Sequence, residues 1–113
     1  MNKRELGSCY EKWATSYLIH KGYQIIENNF RCRFGEIDII AKDKATLVFV
    51  EVKYRKNDNY GTALEAVSLK KQKNIRRVSE YYIMSKKLSI ELDIRYDIVA
   101  ILGDEVTLLE NAF

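Results

Sequence analysis

Proline is absent from this 113-residue chain, histidine and tryptophan occur once each, and cysteine occurs twice. With no proline, no repeat and no low-complexity run, nothing marks a linker, and residues 1–113 read as one compact domain. A hydrophobic content of 47% supplies enough apolar material for a two-layer or three-layer core. Cys9 and Cys32 have no metal-ligand spacing and no second pair, which leaves them as small packing residues in a reducing compartment. His20 precedes Lys21-Gly22 at a helix end, a place for a cap or a surface group rather than a catalyst. No apolar run is long enough to span a bilayer, and the opening MNKRELGSCYEKW lacks the apolar segment of a secretion signal. The expectation is a cytoplasmic protein with no membrane partner.

The chemistry is concentrated between Phe34 and Arg55, FGEIDIIAKDKATLVFVEVKYR. Gly35 to Ala41 and Thr46 to Tyr54 are β-branched, apolar runs, and the polar Lys42-Asp43-Lys44-Ala45 between them predicts a hairpin. Pairing Ala41 with Thr46 sets Asp38 opposite Phe49 and makes it the diagonal neighbour of Glu51, roughly 7–8 Å away at the backbone. Lys53, two residues on, shares Glu51's face with Leu47 and Phe49, while Val48, Val50 and Val52 take the other. A strand apolar on both faces is covered on both sides, as in an α/β sandwich, so its charges lie where it leaves the core. Two carboxylates and an ammonium at such a mouth suit metal-assisted phosphodiester cleavage; the plain alternative is a solvated strand end.

The net charge is only +3, but its distribution is uneven. From Lys53 to Arg77 the basic residues Lys53, Arg55, Lys56, Lys70, Lys71, Lys73, Arg76 and Arg77 face only Asp58 and Glu65. A cation-rich rim beside a carboxylate pair suits a polyanion such as nucleic acid. Around this segment the pattern predicts a helix from Lys3 to Lys21, with Leu6, Tyr10, Trp13, Ala14, Tyr17 and Leu18 on one stripe and Gly22 as its stop. A strand from Tyr23 to Arg31 follows it. A polar loop from Arg55 to Thr62 holds Tyr60-Gly61, then a helix starts at Ala63 or Ser68 and runs to Met84, with strands Asp93 to Leu102 and Glu105 to Leu109. The expected fold is α/β, a mixed sheet flanked by helices in the order α-β-β-β-α-β-β.

Two helical residues stand out by phase. Lys71 falls inside the apolar stripe of Val67, Ile75, Val78 and Tyr82, where it either reaches an anion at the site or snorkels to solvent. Glu11 borders the first helix's buried stripe, as a third carboxylate for a metal or as a partner of a surface lysine.

The series Glu11, Asn29-Phe30-Arg31, Gly35-Glu36-Ile37-Asp38, Phe49-Val50-Glu51-Val52-Lys53-Tyr54-Arg55, Tyr60-Gly61, Lys71-Gln72 and Arg95-Tyr96-Asp97 resembles the YraN family of small bacterial proteins. That family is similar in turn to archaeal Holliday junction resolvases and to the PD-(D/E)xK nuclease superfamily. GEIDII and FVEVKYR are the specific part, and the likeness runs from about Leu6 to Ile101. It implies a restriction-endonuclease-like core and a Mg²⁺ (or Mn²⁺) site with Asp38 and Glu51 as ligands. Lys53 is then the third signature residue, and Glu11 takes the place of the resolvases' first-helix acid. Gly35-Glu36 stands where many superfamily members carry a proline, as is usual in the YraN-like group. The expected function is cleavage of DNA, with branched or junction DNA preferred. Asp38, Glu51 and the Val52 carbonyl would hold the metal, and Lys53 and Lys71 would act on the phosphate. Arg31, Arg55, Lys56, Lys71, Gln72 and Lys73 would contact the nucleic acid. A homodimer is left open. The alternatives are a non-catalytic nucleic-acid-binding module of the same fold and a protein-interaction subunit.

Overall fold

The computed structural model of the protein describes residues 2–57 and 61–113, so Tyr60 of the expected Tyr60-Gly61 loop lies outside the described residues. Helix α1 (Lys3–His20) starts at a capping box, in which the Asn2 side chain accepts the Glu5 N–H at 2.9 Å and the Glu5 carboxylate takes the Asn2 N–H. It ends where Gly22, at φ +96°, reverses the chain. The Gly22 N–H then donates to the Ile19 carbonyl and the Tyr23 N–H to the Leu18 carbonyl, each at 3.0 Å. This Schellman closure returns Tyr23 to the core beside Leu18.

The chain continues as β1 (Gln24–Cys32), β2 (Gly35–Asp43), β3 (Thr46–Arg55), α2 (Leu69–Ser85), β4 (Ile94–Leu102) and β5 (Glu105–Leu109), the expected order. Of the two expected starts for α2, Ser68 is the observed one: its side chain accepts the Lys71 N–H at 3.1 Å as the N-cap. The five strands lie in sequence order in one sheet. All neighbours are antiparallel except β3 and β4, which are parallel because α2 carries the chain back between them.

β3 is the central strand and is covered on both faces. Val48 and Val50 pack with Ala14 and Leu18 of α1, whereas Leu47 and Phe49 pack with Ile75, Val78 and Tyr82 of α2. This mixed sheet with a helix on each face is compatible with a restriction-endonuclease-like core. The α1 stripe is narrower than its sequence pattern. Ala14 and Leu18 are fully buried, but Leu6 and Trp13 remain 39% and 40% exposed. An i, i+4 row on an α-helix drifts by about 40° per step, so a straight helix keeps only part of such a row on the sheet.

Arg95 and Asp97 of the Arg95-Tyr96-Asp97 triplet build a closed ion cluster on the α1 side, while Tyr96 joins the core under α2. Asp97 is fully buried and accepts from the Tyr23 hydroxyl at 2.8 Å, from Arg95 Nε and Nη2 at 2.8 and 2.9 Å, and from the Asn111 N–H at 2.9 Å. Arg95 also reaches Asp43 at 3.0 Å and Glu110 at 3.2 Å. Burial, and then the Asp97 carboxylate, hold the Tyr23 phenol above its usual range, so it stays a proton donor.

Candidate active site

The β2–β3 register differs from the expected one by two residues: Asp43 pairs with Thr46, and the ladder runs from there to Ile39 and Val50. The turn is therefore Lys44-Ala45, with Lys44 at φ +56°, rather than the four-residue loop. A shift of two preserves the side-chain faces, which is why Asp38 and Glu51 still meet. Beyond Ile39 and Val50 the strands part, and the Asp38 carboxylate enters the fork, accepting the Val52 N–H at 2.9 Å.

The other edge of β2 is interrupted at the same level. β1–β2 pairing passes from Asn28 and Ile39 to Phe30 and Ile37, skipping Asn29, which sits at φ +55°, and Asp38. Asparagine tolerates this left-handed conformation better than most residues. Ile37 accordingly joins the core under α2 while Ile39 joins the core under α1, so β2 turns over at Asp38.

Glu51 is buried on the α2 face of β3, and its carboxyl lies close enough to that of Asp38 to raise the Asp38 pKa. Lys71 Nζ approaches Glu51 Oε2 to 3.6 Å. Of its two sequence readings, the one that aims Lys71 at the site is therefore the observed geometry. Glu51, Val52, Lys53 and Lys71 line a cleft of about 340 Å³ with Ala66, Val67 and Ser68, at the N-terminus of α2. That first turn carries Lys70 and Lys71 and no acid, which opposes the helix dipole and leaves a strongly electropositive end.

Burial first, and then the Glu51 carboxyl beside it, push the Asp38 acid up to about 8, against the opposing pull of the Val52 N–H and Lys71. The folded protein thus holds a proton here that the unfolded chain releases near pH 4. Stability contributed by that proton is complete below about pH 4 and is lost as pH rises towards 8. Asp38→Asn, which keeps an acceptor for the Val52 N–H, should leave thermal stability unchanged at pH 4. At pH 8 it should raise stability by on the order of 2 kcal/mol, roughly 5–10 °C in Tm. Thermal melts at both pH values check this, and equal shifts at both would contradict it.

Glu11 stands on the α1 side of the fork. Desolvation raises its pKa, an Asn29 hydrogen bond lowers it, and the charge of Asp38 raises it further. Glu11 lines the groove between α1 and β1 with Thr15, Asn28 and Asn29, away from the Glu51 cleft. Among the described residues no three acids or other ligating side chains converge as a metal cage.

The basic residues divide. Arg31 pairs with Glu36 at 3.0 Å, Arg55 donates to the Gly61 carbonyl, and Gln72 donates to the Val67 carbonyl at 3.0 Å. Lys56 and Lys73 are exposed near the cleft. Sequence reasoning did not assign Ser68 or Asn29 to the site. The cap preference of serine ahead of a helical pattern was the available signal for the first. Among the described residues no helix is long and apolar enough to cross a membrane.

Residues 10–101 match Uncharacterised protein family UPF0102. A UPF0102 protein of Lachnoclostridium phytofermentans is 44% identical over 113 residues, covering all of this chain and 96% of that protein. One of Thermodesulfovibrio yellowstonii is 46% identical over 114 residues, covering 100% and 99%. One of Photobacterium profundum is 43% identical over 106 residues, covering 93% and 85%. The chain belongs to the UPF0102 family, the YraN family of the sequence resemblance.

Proposed function

We propose that the protein is a metal-dependent nuclease of the cytoplasm that hydrolyses DNA phosphodiester bonds. The observation that carries this reading is the pair of carboxyls at the strand fork, Asp38 against Glu51, with Lys53 and Lys71 in the adjoining cleft. Two neighbouring acids, Glu51 buried and Asp38 half-buried, are an unfavourable arrangement for structure alone, because each disfavours ionisation of the other. Their hard oxygens fit Mg²⁺ or Mn²⁺, and a divalent cation offsets the repulsion that burial amplifies. Such a cation supplies Lewis-acid activation of water and charge neutralisation at phosphorus.

The protein's own groups do the rest. Asp38 and Glu51 would hold the cation, and Glu11, whose carboxyl feels the charge of Asp38, would tune its affinity. The Lys53 ammonium orients the attacking water and stabilises developing negative charge. Lys71 and the N-terminus of α2 hold the scissile phosphate, where helix N–H groups favour an anion. Exposed Lys56 and Lys73 position the backbone without reading sequence. The preference for branched DNA rests on the resolvase resemblance alone.

The test is incubation of the purified protein with Mg²⁺ or Mn²⁺ on linear, flapped and four-way DNA. Cleavage that EDTA abolishes supports the reading, and tight binding without cleavage moves it to the non-catalytic module. Binding itself should weaken steeply with salt and show little sequence preference. About three phosphate contacts predict a loss of roughly fortyfold between 50 and 200 mM salt, measurable by fluorescence anisotropy. Salt-insensitive binding, or none at low ionic strength, would favour a protein-interaction role.

A further inference from the structure

Arg33 and Phe34 form the tip of the β1–β2 hairpin, which rests against the middle of α2. A Cβ on Gly35 would lie 3.6 Å from a Val78 methyl. There two guanidiniums converge on one ring. The Arg33 carbon lies 4.8 Å from the Phe34 centroid and the Arg77 carbon 4.4 Å from it. Tyr81 meets the same ring edge-on, with centroids 6.0 Å apart. Neither arginine forms an ion pair among the described residues. With Glu80 and Met84 these residues line a hollow of about 420 Å³, and Tyr81 and Met84 are 40% and 79% exposed.

Bringing two like charges onto one ring is unfavourable without an anion to share, and the acid that lines the same hollow, Glu80, forms no ion pair with either arginine among the described residues. A guanidinium held over a ring offers its outer face as a stacking surface for a nucleobase and its N–H edges to phosphate. The patch lies a short way along β2 from the candidate site. Gly35 is three strand residues from Asp38, roughly 10 Å, or about three phosphates at the axial spacing of one strand. Lys73 and Arg77, one turn apart and both exposed, lead from the first turn of α2 towards the tip. A duplex hides its base faces, whereas an unpaired strand offers them.

We propose that the hairpin tip and the middle of α2 form a docking surface for an unpaired DNA strand beside the cleavage site, with Arg33 and Arg77 as ring-backed stacking planes. This deepens the nuclease reading and rests on it. It also supplies a physical basis for selecting flaps or branches over uniform duplex, because only the former deliver unpaired nucleotides within reach of the fork.

The experiment compares a blunt duplex with the same duplex carrying a single-stranded overhang that contains 2-aminopurine, in EDTA so that no cleavage occurs. The wild type should bind the overhang about fivefold or more tightly than the blunt duplex and quench the 2-aminopurine. Arg33→Lys combined with Arg77→Lys keeps the charge and removes the planes. Both side chains are exposed, so the fold should survive, which a thermal melt verifies. This variant should bind blunt duplex like the wild type, with the same salt slope, and lose both the preference and the quenching. Phe34→Leu, which retains apolar volume, should act in the same direction. A double-lysine variant that keeps preference and quenching overturns the stacking surface and leaves the nuclease reading intact. So does a wild type that binds both DNAs equally without quenching. A wild type that binds no DNA overturns both.

Discussion

On the proposed nuclease reading, Glu51→Gln should abolish metal-dependent cleavage, a loss of roughly a thousandfold or more, while DNA binding should survive or tighten. Glutamine keeps the size of the side chain but not the charge that would hold a divalent cation against Asp38. It also removes a negative charge from a cleft that Lys53 and Lys71 otherwise make attractive to phosphate. Lys53→Ala should lower cleavage by about a hundredfold or more, yet leave the metal-induced rise in Tm unchanged, because an ammonium is not a ligand for a cation. Lys71→Ala should raise KM more than it lowers kcat, since Lys71 reaches Glu51 from a half-exposed helix position and is placed to hold phosphate. All three variants are read on one junction substrate. Wild-type-like cleavage by Glu51→Gln would refute the site.

Asp97→Ala lowers the stability of the fold by about 3–5 kcal/mol. Asp97 is fully buried, and its removal takes the nearer acceptor from the Tyr23 hydroxyl, strands the Asn111 N–H and leaves Arg95 without its closest ion-pair partner. Asp43→Asn, which touches Arg95 only from a partly exposed position, should cost less than about 1 kcal/mol. Urea unfolding of both variants measures the contrast. An Asp97→Ala protein within 1 kcal/mol of the wild type would show the cluster to be dispensable.

The elements of the fold were legible in the sequence because each carried its own local signal. Gly22 marked the end of α1, β-branched apolar runs either side of a polar turn marked the hairpin, and the two apolar faces of β3 demanded cover on both sides. The β2–β3 register was not legible, since Lys42 to Lys44 is polar and nothing there favours a four-residue loop over a two-residue turn. The error left the meeting of Asp38 and Glu51 unharmed because it was even. The fork itself was invisible: it depends on Asn29 adopting φ +55° and on Asp38 capturing a backbone N–H of another strand, both set by tertiary structure. Trp13 misled for a related reason. A large apolar residue on a helix stripe predicts burial only if the sheet extends beneath it. The Arg95-Tyr96-Asp97 triplet entered as a mark of resemblance; Arg95 and Asp97 proved to anchor a structural cluster that the sequence could not show, since their partners Tyr23, Asp43 and Asn111 are scattered along the chain.

The single parallel pair in the sheet divides the birth of the site into two stages. Asp38, Glu51 and Lys53 belong to one tight hairpin, whose closure demands little chain entropy and belongs to the microsecond range. Lys71 and Ser68 ride on the segment that must fold back before β3 can accept β4, a non-local pairing whose loop closure is costlier and slower. On this order the nascent chain brings its acids together before the lysine that offsets them arrives. Until that segment docks, the hairpin carries its two carboxyls without the Lys71 ammonium beside Glu51, and without the burial that raises the Asp38 acid in the finished fold.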